Sequence, residues 1–113
     1  TTPEASVLAV QSMLDPARVH LIAGGYDKGS NLDPIADLAP LLAGLFGIGA
    51  TSESICRRGG EDCSTLELAV KHAMDQASAG DVVLLSPGCA SWDQFANYED
   101  RGDAFRRLIA TMR

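Results

Sequence analysis

Two short stretches carry the residue types that could do chemistry. The first is the loop Gly24-Gly25-Tyr26-Asp27-Lys28-Gly29-Ser30, in which a lysine stands among three glycines. The second is Ser86-Pro87-Gly88-Cys89-Ala90-Ser91, which ends a short apolar run. Lys28 would bring a cation to an anionic ligand. Ser91 would bring a hydroxyl, and it is placed to cap a helix with Asp93 and Gln94 in the first turn. Free N–H groups at such a helix start receive a carboxylate or a phosphate. The chemistry implied is the holding of a small anion. An ordinary cap and a solvated loop lysine are the plainer alternatives.

Other constellations fall short of a mechanism. Lys28 precedes Gly29-Ser30, whereas a P-loop needs Gly-Lys-Ser/Thr in that order, so the chain is not expected to bind ATP phosphates alone. Gly47-x-Gly49 has Ser52 where a dinucleotide fingerprint needs glycine. Cys89 at a helix start would be a nucleophile only with a base beside it. His20 lies in or next to a predicted strand and His72 in mid-helix, so a small buried residue is the better account of Cys89. Cys56, Cys63 and Cys89 lack the close pairing of zinc sites and the even count of a disulfide framework, so no metal is expected and a reducing cytoplasm fits.

The elements that must position these loops alternate between helix and strand. Thr2-Pro3-Glu4 starts a helix with Val7, Val10 and Leu14 on one face. Val19 to Ala23 is a strand. Asp33-Pro34 opens a second helix bearing Ile35, Leu38 and Leu42, with Pro40 predicting a kink or an early end. Leu45 to Ile48 is a strand, Thr51 or Ser52 caps a short helix, and Glu61 to Cys63 reads as a short edge strand. Ser64 to Glu67 has capping-box spacing ahead of a helix through Ala77, closed by Gly80. Val82 to Leu85 reads as a strand buried on both faces. Phe105, Leu108, Ile109 and Met112 give a last helix. This order predicts an α/β, three-layer αβα domain with a mostly parallel sheet, and ligands beyond the carboxyl ends of its strands. Trp92, Phe95, Tyr98 and Phe105 are expected mainly as core anchors, and Arg101 as an ion-pair partner of Asp93, Glu99 or Asp100 holding the loop.

The chain has 113 residues, 46% hydrophobic and 21% charged, which suits one globular domain. A net charge of −6 argues against nucleic acid and anionic membranes as partners. It opens on Thr1 rather than Met, from which we expect a domain within a longer protein.

The segment from Leu85 to Phe105 resembles the C-terminal domain of the Mur ligase family, in the branch that adds D-glutamate. The matching skeleton is Ser86-Pro87, Ala90-Ser91, Asp93, Phe95, Arg101-Gly102 and Phe105. The resemblance runs over essentially the whole chain, including Gly24-Gly25 and Lys28. It implies a Rossmann-like third domain, residues 1–113, of a three-domain cytoplasmic enzyme of peptidoglycan synthesis. In that family a central P-loop domain uses ATP and Mg2+ to phosphorylate the carboxylate of UDP-N-acetylmuramoyl-L-alanine, and the D-glutamate amine then attacks. The C-terminal domain supplies the amino-acid pocket and closes over its own N-terminal and central domains. Lys28 and Ser91 match residues that contact the glutamate carboxylate. Tyr98 matches an aromatic contact that is usually Phe, and Thr1 a threonine just after the interdomain linker. The Asp-Asn-Pro-Arg motif of ligases adding a diamino acid is absent. That absence favours the D-glutamate branch, and a third domain without the P-loop domain is implied to be inactive by itself and to hold no cofactor of its own. The alternative is a stand-alone Rossmann-like module for a small anion. A receiver-type domain would need clustered acids where Gly24-Gly25 stand.

Overall fold

The computed structural model describes residues 2–26, 29, 31–89, 91 and 95–112. Four strands, β1 (Val19–Gly24), β2 (Gly44–Ile48), β3 (Glu61–Ser64) and β4 (Val82–Leu85), form one sheet in the order β3-β2-β1-β4. Every pairing is parallel. The α-helices are α1 (Pro3–Gln11), α2 (Asp33–Ala36), α3 (Ser52–Cys56), α4 (Leu66–Gln76) and α5 (Tyr98–Met112). The three-layer Rossmann-like α/β fold expected from the alternation of elements is present.

The period-2 geometry of a strand explains why β1 can be apolar throughout. Leu21 and Ala23 join one core with Val10 of α1, Ile35 of α2 and Ile55 of α3. Ile22 joins the other, with Phe46, Ile48 and the α4 residues Leu66, Ala69, Val70 and Ala73. Phe105, Leu108 and Ile109 of α5 pack on this second core. Helices α1 to α3 therefore cover one face of the sheet, and α4 with α5 the other. All six residues of β1 are buried.

Several local expectations are corrected. The strand from Val82 to Leu85, expected to be buried on both faces, lies at the edge of the sheet. Leu84 packs on the first core and Val83 and Leu85 on the second, but burial is partial and Val82 is exposed. Helix α1 ends at Gln11, so Leu14 stands free in solvent, and the inner face is Pro3, Ser6 and Val10. Pro40 does break its helix. α2 stops at Ala36 and a separate 3-10 turn spans Ala39–Leu41. The cap of α4 is Thr65, whose hydroxyl accepts from the Leu68 amide at 3.2 Å. Ser64 instead takes a positive φ of 64°, with its amide donating to Asp62. The C-cap is Ala77 rather than Gly80.

Candidate anion-binding crevice

The strand order creates a crevice. The chain lays down β1, β2 and β3 in one direction and then returns to place β4 on the other side of β1. The loop after β1 runs into α2 on one face, and the loop after β4 leads to α5 on the other. Neighbouring parallel strands whose following helices diverge leave a gap at their carboxyl ends, where α/β proteins receive ligands. The two borders of this gap are the loops from Gly24 and from Ser86.

Their described parts are fastened together. The Ser86 amide donates to the Ile22 carbonyl at 3.2 Å, and the Gly24 amide to the Pro87 carbonyl at 2.8 Å. The ladder between β1 and β4 thus continues past Leu85, with Pro87 contributing only its acceptor. Thr51, buried before α3, accepts from the Gly25 amide at 3.0 Å and donates to the Gly25 carbonyl at 3.2 Å. Its hydroxyl also lies 3.6 Å from the Cys89 sulfur. Arg101 of α5 is buried, and its Nη1 donates to the Cys89 carbonyl at 2.9 Å. Ser6 of α1 donates to the Ser86 carbonyl at 2.7 Å.

Backbone approach fixes two glycines here. Gly24 has φ +120°, and a Cβ on it would stand 2.2 Å from the Ile48 carbonyl oxygen. Gly88 has φ +69°, with its Cβ position 2.5 Å from Ile35 Cδ1. A side chain at Gly24 would meet backbone and need the crevice rebuilt, whereas one at Gly88 would have to push the Ile35 and Ser6 side chains aside at a strained φ.

Ser91 is buried, and its carbonyl accepts from the Phe95 amide at 2.8 Å, closing a turn. It is not the cap of the long helix. That role falls to Asn97, whose Oδ1 accepts from the Asp100 amide at 2.8 Å, so α5 begins at Tyr98. Tyr98 is 64% exposed, unlike the core anchors Phe95 and Phe105. Arg101 donates to the Cys89 carbonyl, and Asp93, one of its three anticipated acid partners, lies outside the described residues. Thr1, Lys28, Trp92 and Asp93 lie outside the described residues.

A Cys–His pair is not formed at the crevice. Cys89 is packed in the first core at the carboxyl end of β1, whereas His20 lies near its amino end. His20 is buried with Nε2 2.9 Å from Asp81 Oδ2. That hydrogen bond, with further ones from the Ser78 amide and Arg18, holds the Asp81 carboxyl down at about 2. A cleft of about 650 Å3 also opens between α4 and α5, lined by Leu66, Phe95, Ala104 and Leu108 among others. Its mainly apolar walls suit a dicarboxylate poorly.

The fold defines this chain as a Rossmann-like α/β domain. No family model matches it. Its full length corresponds to the C-terminal part of the UDP-N-acetylmuramoylalanine–D-glutamate ligases. It is 44% identical over 123 aligned residues to that ligase of Thermoanaerobacter sp. strain X514, covering 100% of this chain and 27% of the relative. Identity is 42% to the Caldanaerobacter subterraneus enzyme over the same shares. For the Salinibacter ruber enzyme it is 44% over 81% of this chain and 22% of the relative. The chain thus spans about a quarter of the length of the curated relatives it matches. Among the described residues, no helix is long and apolar enough to cross a membrane.

Proposed function

We propose that this chain is the amino-acid-binding C-terminal domain, residues 1–113, of a cytoplasmic ligase that adds D-glutamate to UDP-N-acetylmuramoyl-L-alanine. The observation that carries the reading is the end-to-end match to the C-terminal part of D-glutamate ligases, in a fold whose crevice lies between the two matching loops. Lys28 pairs with a carboxylate of D-glutamate. The Ser91 hydroxyl donates to the same ligand, Tyr98 packs its ring or backbone against it, and Thr1 contributes from the linker side. Trp92 and Arg101 hold the loop after β4 in shape. ATP and Mg2+, bound mainly by the central domain of the whole enzyme, would activate the alanine carboxylate as an acyl phosphate. This domain holds the D-glutamate amine free for attack and closes over that centre, so its contribution is positioning rather than proton transfer. By itself it is inactive.

The test is made in the whole ligase. A charge-assisted hydrogen bond of about 1.5–3 kcal/mol predicts that Lys28→Ala raises the KM for D-glutamate roughly ten- to a hundredfold. Ser91→Ala acts in the same direction more mildly. The KM for ATP stays unchanged in both. Equal effects on the two substrates, or the lack of an in-frame P-loop domain upstream of Thr1, would overturn the reading.

A further inference from the structure

At the opposite edge of the sheet, three side chains of different chemistry converge. Glu61 and Cys63, two residues apart on β3, both meet α4: Cys63 packs in the second core with it and Glu61 reaches His72. His72 stands in the middle of α4. Its Nδ1 lies 3.2 Å from Glu61 Oε2 and 3.8 Å from Cys63 Sγ. One ligand atom from each residue lies within 4.8 Å of the other two. We propose that Glu61, Cys63 and His72 bind a soft divalent cation of the zinc class, with a fourth position open to water.

Bond lengths support the assignment. A tetrahedral ion with Zn–N and Zn–O near 2.05 Å and Zn–S near 2.3 Å holds nitrogen and oxygen about 3.3 Å apart, and nitrogen and sulfur about 3.6 Å apart. The two separations measured from His72 Nδ1 match to within a few tenths of an ångström, and the Glu61 oxygen and Cys63 sulfur lie within 4.8 Å of each other, so small side-chain movements close the site. The donor set of one thiolate, one imidazole and one carboxylate favours zinc or cobalt over magnesium or calcium, which take oxygen alone. The sulfur is buried while Glu61 and His72 are about half exposed, so an ion can reach the site from solvent. Gln76, one turn beyond His72, donates to Glu61 Oε2 at 3.3 Å and orients that carboxylate.

Binding releases the Cys63 thiol proton to water and leaves the imidazole proton on Nε2, freeing the Nδ1 lone pair. Burial, followed by the charges of Glu61, Cys56 and Asp62, raises that thiol to about 11. His72 faces it from α4. Cys56 is not a ligand; its thiol donates to the Glu61 carbonyl at 3.2 Å. A bound ion would pin the four-residue edge strand β3 to α4.

The site lies apart from the crevice, so its fate is independent of the ligase reading. The test is a Co2+ titration of the reduced, untagged chain, followed by thiolate-to-cobalt charge-transfer absorption, with Zn2+ as competitor. The expected result is one ion per chain, displaced by Zn2+, with Zn2+ also raising Tm. Since losing an outer-shell partner commonly costs 10–100-fold, removing a ligand should cost about a hundredfold or more. Cys63→Ser should abolish the band, His72→Ala should weaken binding to that extent without unfolding the domain, and Cys56→Ser and Cys89→Ser should keep the band. No band in the native chain, a band that survives Cys63→Ser, or undiminished affinity in His72→Ala would overturn the proposal.

Discussion

Thr51→Val removes one hydroxyl from the seam of the crevice and leaves its shape intact. In the native chain that hydroxyl accepts from the buried Gly25 amide at 3.0 Å. The Gly25 carbonyl keeps a second donor after the change, the Thr51 amide at 3.2 Å, so the amide alone is orphaned. An unsatisfied buried donor costs about 1–3 kcal/mol. Valine fills the same volume, so no cavity term is added. For a domain of this size the loss corresponds to a fall in Tm of roughly 5–15 °C. Thr51→Ser keeps the hydroxyl and loses one methyl, which costs about 1 kcal/mol at most. Urea unfolding measures both variants, with the midpoint shifting at constant slope. Hydrogen exchange at the Gly25 amide supplies the local readout and should accelerate in Thr51→Val alone. Equal losses in the two variants, or unchanged protection at Gly25, would refute the role given to the hydroxyl.

Gly24→Ala should cost more than about 3 kcal/mol in the same urea experiment, because positive φ and a backbone clash act together. Gly29→Ala, at φ +88° with open space around it, should cost only about 1–2 kcal/mol. Asp81→Asn tests the latch to His20. The Asp81 carboxyl sits at about 2 when folded, against an ordinary value near 3.8. Its contribution is therefore complete above about pH 5 and is lost as pH falls through that window toward 2. The Tm gap between native and Asp81→Asn protein should be largest near neutrality and close as the solution is acidified; a constant gap would rule the latch out.

Continuous apolar runs made β1 and β2 legible, and alternating elements made the layers legible. Which strand lies in the middle was not, because pairing partners are distant in sequence and Val82 to Leu85 is as apolar as Val19 to Ala23. Helix ends went astray where two hydroxyls compete. Ser64 and Thr65 are equally good caps by type, and the Asp62 turn gives Ser64 its positive φ. Asn97, three residues before Asp100, was a readable cap signal that the nearer Ser91 obscured. The crevice loops stood out by their glycines and Pro87. Their fasteners did not, since Ser6 and Thr51 look like a surface helix residue and a cap. The grouping of Glu61, Cys63 and His72 needs the β3–α4 contact, which no local spacing reveals.

The proposed receptacle for a dicarboxylate needs both loops. Its most direct measurement is a D-glutamate titration of the 15N-labelled chain, read by amide shifts. The predicted result is saturable shifts with one shared affinity at residues 24–30 and 86–91. Saturable shifts centred on the cleft between α4 and α5, or the lack of any saturable shift, would contradict it.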